Sequence, residues 1–162
     1  MAQIISIQNY IHSDREQELI PLLVYGTLMK GERAHHMVEG FRFDGRWLLR
    51  DYAMYHLGSY PGIVPQKGET VMGEVYWVDR EALARMDEYE DEGSLYHRRT
   101  VNVEQGGARL DVQIYVYARS VEGFPLLTGG KAPPGIGVEG HLCNWKEQRI
   151  RRAPRKPGDH NR

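Results

Sequence analysis

Two groups of residues in this chain have types and spacing that could do chemistry. One is a glycine loop, Tyr25-Gly26-Thr27-Leu28-Met29-Lys30-Gly31; the other is Glu90, within the acidic run 87–92. The loop follows Leu22-Leu23-Val24, a short apolar run that reads as a buried strand. A glycine directly after such a strand lacks the Cβ that keeps a ligand off the main chain, so the N–H groups of Gly26, Thr27 and Leu28 could be offered to an anion. Small acids or amides would suit it. The competing reading is an ordinary turn, since glycine is the default turn residue. A nucleotide P-loop fits less well, because no Gly-Lys-Ser/Thr follows to supply the lysine and hydroxyl that grip phosphate and magnesium.

Glu90 stands apart from its acidic neighbours by its phase. At ~100° per residue, Ala82, Leu83, Met86 and Tyr89 form an apolar stripe, and Glu90 falls inside it while the other carboxylates point away. A carboxylate turned toward a core must be neutral, paired or set in the wall of a cavity, because burying an unpaired charge is very costly. Desolvation then raises its pKa toward the range where it trades protons near neutral pH. If the helix instead stops before Glu90, the residue is exposed and inert.

Other chemistry is poorly supported. His35 and His36 are adjacent and face different directions, and no cysteine pair or Glu-x-x-His completes a metal site. Cys143 has only His141 near it in sequence, and Ser59 in Gly58-Ser59-Tyr60-Pro61-Gly62 is not on a Gly-x-Ser-x-Gly elbow.

The elements that must position the loop and Glu90 are mostly strands. Arg46–Leu49 and Tyr52–Leu57 are candidate strands, the second stopped by a turn over Gly58–Gly62; Val71–Val78 is another. Asp79 can cap a helix running to about Glu90, with Glu81 complementing its positive end and Gly93 stopping it. Arg98–Glu104 and Arg109–Tyr117 flank Gln105-Gly106-Gly107, a hairpin whose Leu110, Val112, Ile114 and Val116 define one buried face against Asp111, Gln113, Tyr115 and Tyr117. Few helices and no run of βαβ units predict an α+β fold with a small closed or strongly curved sheet.

At 162 residues, with 41% hydrophobic and 27% charged residues, one domain suffices. The body is expected over residues 21–147, after an extension, 1–20, in which Ile4-Ile5-Ser6-Ile7 could add an edge strand. Residues 148–162 form a basic tail with Arg149, Arg151, Arg152, Arg155, Lys156 and Arg162, expected to be mobile. A single cysteine, no signal-like start and no apolar run approaching ~20 residues lead to the expectation of a cytoplasmic, non-membrane protein. The net charge of −1 gives no global reason to expect nucleic acid.

Several short motifs occur in one order: Val24 to Gly31, Ser59 to Ile63 with its Tyr-Pro-Gly, the Gly-Glu-Val-Tyr strand within Val71 to Val78, Met86 to Arg98 with Met-Asp-x-x-Glu and Tyr-x-Arg, and more loosely Asn144-Trp145. Together they resemble the γ-glutamylcyclotransferase-like family, over most of residues 22–146. The family also includes γ-glutamylamine cyclotransferases, plant avirulence-induced proteins and an enzyme that removes a γ-glutamyl protecting group in butirosin synthesis, and the short loop here is closer to these than to the glutathione-specific branch. The resemblance implies a small mixed β-barrel with a few flanking helices. It further implies a γ-glutamyl site at Tyr25, Gly26, Thr27 and Leu28, a catalytic carboxylate at Glu90, and release of 5-oxoproline from a small-molecule substrate without cofactor or metal. Tyr60, Tyr96 and Tyr117 are candidate pocket walls. The rival readings are a non-catalytic γ-glutamyl or amino-acid binding module with the same barrel, and an adaptor acting through the basic tail.

Overall fold

The computed structural model describes residues 18–127 together with positions 142, 143 and 145. The Ile4–Ile7 strand and the basic tail lie outside the described residues.

The apolar run before the glycine loop becomes β1, Ile20–Val24. Leu22, Leu23 and Val24 are all buried, as a strand covered on both faces requires. It pairs antiparallel with β3, Pro61–Val78, and parallel with β5, Ala108–Tyr117. β5 forms a hairpin with β4, Tyr96–Gln105, around Gly106-Gly107, both at positive φ as a two-residue turn demands. β4 meets β2, Arg42–His56, and β2 pairs along β3. The ring β2-β4-β5-β1-β3 is therefore closed into the small mixed barrel that the family resemblance implied. Short strands β6, Leu126–Leu127, and β7, Leu142–Cys143, extend β2 and β3.

Three local expectations need correction. The separate strands at 46–49 and 52–57 are one bulged strand: pairing runs from Arg50↔Thr70 to Tyr52↔Pro65, so β3 loops out opposite Asp51. Asp51 sits at φ 62°, and its Oδ1 accepts the Gly68 N–H, which fixes the bulge. The turn is shorter than 58–62, because Pro61 and Gly62 already pair with His56 and Tyr55; proline fits there as the first residue of a strand. On β5, Tyr115 on the nominally outer face is also buried. A helix covers that face and binds its hydroxyl.

That helix, α1, spans Arg80–Tyr89 and is capped as expected, the Ala82 N–H donating to Asp79 Oδ1 at 2.7 Å. Ala82, Leu83 and Met86 are buried against the barrel, but Tyr89 is 45% exposed. The helix stops before Gly93: Glu90 is its C-cap, and Asp91 turns the chain at φ 51°. Among the described residues no helix is long and apolar enough to cross a membrane.

Candidate active site

The end of β1 and the end of α1 meet across a cavity. From β1 the chain turns at Tyr25, whose hydroxyl donates to the Tyr115 carbonyl at 2.6 Å. The loop then folds on itself, Met29 N–H donating to the Gly26 carbonyl and Ala34 N–H to that of Thr27. Its far side is pinned by Glu74, a buried carboxylate of β3 that accepts the Lys30 N–H at 2.7 Å and the Tyr76 hydroxyl at 3.2 Å. His35, weighed above as a metal ligand, instead donates from Nδ1 to the Leu28 carbonyl and packs edge-on against Tyr76. Among the described residues nothing accepts from the amides of Gly26, Thr27 or Leu28.

Gly26 also has a packing role that its sequence does not show. A Cβ there would lie 2.6 Å from Pro61 Cγ and 2.9 Å from Cδ, so the missing side chain admits the Pro61 ring. This close packing holds the loop against the start of β3.

The cavity between loop and helix is about 230 Å³. Leu23, Val24, Tyr25 and Leu28 form one wall; Tyr60, Pro61, Leu95 and Tyr96 form another. Tyr115 closes the inner end, where the walls are almost wholly buried. Thr27, Arg33 and Tyr89 ring the mouth, and the Thr27 and Tyr89 hydroxyls meet across it at 3.2 Å. Tyr117 is not in the wall; it stands behind Tyr96, ring centroids 5.7 Å apart and edge to face.

Glu90 is half-buried in this lining, and its carboxylate bonds no side chain or amide among the described residues. Burial pushes its pKa up to about 7. The surrounding phenols are pushed the opposite way from acidity: Tyr25, Tyr96 and Tyr115 are all raised, chiefly by burial, with the negative charge of Glu90 adding to each. They stay protonated and donate, Tyr96 to the Pro61 carbonyl at 2.7 Å and Tyr115 to Asp87 Oδ1 at 2.6 Å.

Asp87 corrects the expectation that the remaining acids point to solvent. Glu88, Asp91 and Glu92 do, whereas Asp87 takes a two-pronged contact from Arg98 at 2.8 and 3.1 Å besides the Tyr115 hydroxyl. Arg98 also donates to Gln113, so this network ties the last turn of α1, and hence Glu90, to the β4–β5 hairpin.

Tyr89, Arg33, Tyr115, Glu74 and Asp87 escaped the sequence reading. Glu74 alone left a trace, as a charge inside an apolar strand. Among the described residues no group of three His, Cys, Asp or Glu could hold a metal ion. His141 and the side chain of Cys143 lie outside the described residues.

A desolvated carboxylate facing a half-open cavity, beside a loop whose amides have no acceptor among the described residues, on a closed mixed barrel, has the makings of an enzyme that moves protons on a small substrate. The chain belongs to the family described as gamma-glutamyl cyclotransferase, AIG2-like, whose match covers residues 22–147. It is 37% identical over 109 residues to the gamma-glutamylcyclotransferase family protein ytfP of Citrobacter rodentium, covering 67% of this chain and 91% of that one. It is 33% identical to the gamma-glutamylaminecyclotransferase of Bos taurus, over 64% of this chain and 68% of that protein. The crystal structure of an aig2-like protein from Mus musculus shares the fold at TM-score 0.58 and 25% identity, over 77% of this chain and 87% of that one.

Proposed function

We propose that this chain is a γ-glutamyl cyclotransferase that cleaves a γ-glutamyl amine or peptide to 5-oxoproline and a free amine, with Glu90 as the proton-transfer group. The observation that carries this is the Glu90 carboxylate: it lines the cavity and has no side-chain or amide partner among the described residues, and burial pushes its pKa up to about 7. Family membership supports the reaction class.

The substrate's α-amine attacks its own γ-carbonyl; an N–C bond forms, closing a five-membered ring, and the bond from that carbonyl to the departing nitrogen breaks. The attacking nitrogen begins as an ammonium and ends as a lactam N–H, so it sheds two protons. Glu90 accepts the first before attack and returns it to the leaving nitrogen; the second, lost from the ring nitrogen after attack, also ends on the released amine, which departs as an ammonium, so no net proton is consumed. The free amides of Gly26, Thr27 and Leu28 can take the α-carboxylate or the developing oxyanion. Because both reacting groups belong to one molecule, holding the glutamyl chain folded can remove several kcal/mol of barrier through orientation alone. A cavity of about 230 Å³ fits this use. It falls below the roughly 300–1,000 Å³ of drug-sized ligand sites, so it encloses one amino-acid unit and leaves the rest at the mouth.

The test is mass-spectrometric detection of 5-oxoproline after incubation with γ-glutamyl amines, γ-glutamyl amino acids and glutathione. Product from at least one substrate is expected; none from any would remove the proposal. A pH series adds a second check. The proton-accepting form of Glu90 grows as pH rises through about 7, so kcat/KM should climb about tenfold per pH unit below that value and then level. A flat profile from pH 5 to 8 would exclude Glu90 as the base.

A further inference from the structure

We infer that Arg33 selects γ-glutamyl substrates whose leaving amine carries a carboxylate, that is, γ-glutamyl amino acids over γ-glutamyl amines. This rests on the cyclotransferase reading above and narrows its substrate class.

Arg33 is the one basic side chain in the cavity lining, and its guanidinium has no ion-pair or hydrogen-bond partner among the described residues. The same is not true of Arg98, Arg80 or Arg50, each held by a carboxylate. Its backbone is fixed on both sides: Glu32 N–H donates to the Met29 carbonyl, and Ala34 N–H to the Thr27 carbonyl, with the Ala34 side chain buried. The side chain therefore starts beside Thr27, at the exposed rim opposite Tyr89.

The chemistry determines what reaches that rim. With the glutamyl amine at Glu90 and the folded chain inside the cavity, the leaving group lies toward the rim, where Arg33 and Tyr89 are the exposed residues of the lining. An amino-acid leaving group bears its carboxylate on the carbon next to the departing nitrogen, so the anion emerges close to the rim. A guanidinium presents a planar fork of donors suited to a carboxylate. It would also repel a leaving amine that carries a second positive charge, which adds discrimination by exclusion.

The experiment compares two substrates that differ in one group, γ-glutamylalanine and γ-glutamylalaninamide, in wild type, Arg33→Gln and Arg33→Lys. The wild type should favour the carboxylate roughly two- to fivefold in kcat/KM, a range set by a solvent-exposed ion pair. Arg33→Gln should bring the ratio near one, Arg33→Lys should retain only the part that charge alone supplies, and raising salt should erode it in the wild type. Equal loss on both substrates in Arg33→Gln would overturn the inference, since Arg33 would then grip the shared glutamyl unit. An unchanged ratio would overturn it as well. Turnover of neither substrate, nor of the wider panel, by the wild type would instead bring down the cyclotransferase reading.

Discussion

Glu90→Gln is expected to lower kcat/KM by roughly 10²–10⁴-fold, the span of general acid–base contributions, while making the protein more stable at alkaline pH. The two effects share one cause. Burial lifts the Glu90 pKa from about 4.5 to about 7, so between those values the folded state binds a proton that the unfolded state has released. Stability therefore falls as pH rises through that window, and the loss is complete above about 7. Glutamine does not ionise and escapes it. Relative to wild type, the variant should gain on the order of 1–3 kcal/mol at pH 8 and nothing near pH 4. Thermal melts at the two pH values, beside substrate-binding isotherms, check this. A variant that is inactive yet more stable at pH 8 than wild type has lost chemistry rather than folding. An equal melting-temperature difference at both pH values would mean that Glu90 is not held in a desolvated site.

Gly26→Ala is expected to cost about 1–3 kcal/mol of stability and roughly 10² in kcat/KM. The new methyl would stand 2.6 Å from Pro61 Cγ, and that ring is part of the cavity wall. Relief requires the loop and the start of β3 to separate, which moves the amides of Gly26 to Leu28 away from Glu90; a displacement of about 1 Å is enough for a hundredfold loss. Pro61→Ala deletes the two atoms in question. The double variant Gly26→Ala/Pro61→Ala should therefore recover much of the stability lost in Gly26→Ala, and chemical denaturation of all four proteins gives the coupling directly. Strict additivity would show that Pro61 is not what forbids a side chain at position 26.

The strands and the two segments that line the cavity were legible because their signals are local. An apolar run followed by a glycine loop, a capped amphipathic helix, and a two-glycine hairpin each need only neighbours in sequence. Glu90 was legible through its phase on α1, although the helix ends one residue short of it, because a C-cap residue still inherits the direction set by the preceding turn. What failed to show were features made by distant segments. Tyr115 lies on the polar side of an alternating strand, and nothing in that strand announces that α1 covers it with Asp87 as partner. The bulge at Asp51 hides for the same reason: it is created by four residues of β3 looping out on the opposite strand. Arg33 carries no periodic signal at all, and its place at the mouth follows from one hydrogen bond between Ala34 and Thr27.

The central claim is that the γ-glutamyl amine attacks its own carbonyl under the control of Glu90, with water taking no part. It is tested most directly by running the reaction in ¹⁸O-labelled water and weighing the products. Intramolecular cyclisation predicts unlabelled 5-oxoproline in equal amount to the released amine, and loss of both products in Glu90→Gln. Glutamate carrying the heavy oxygen would show hydrolysis by water and contradict the account.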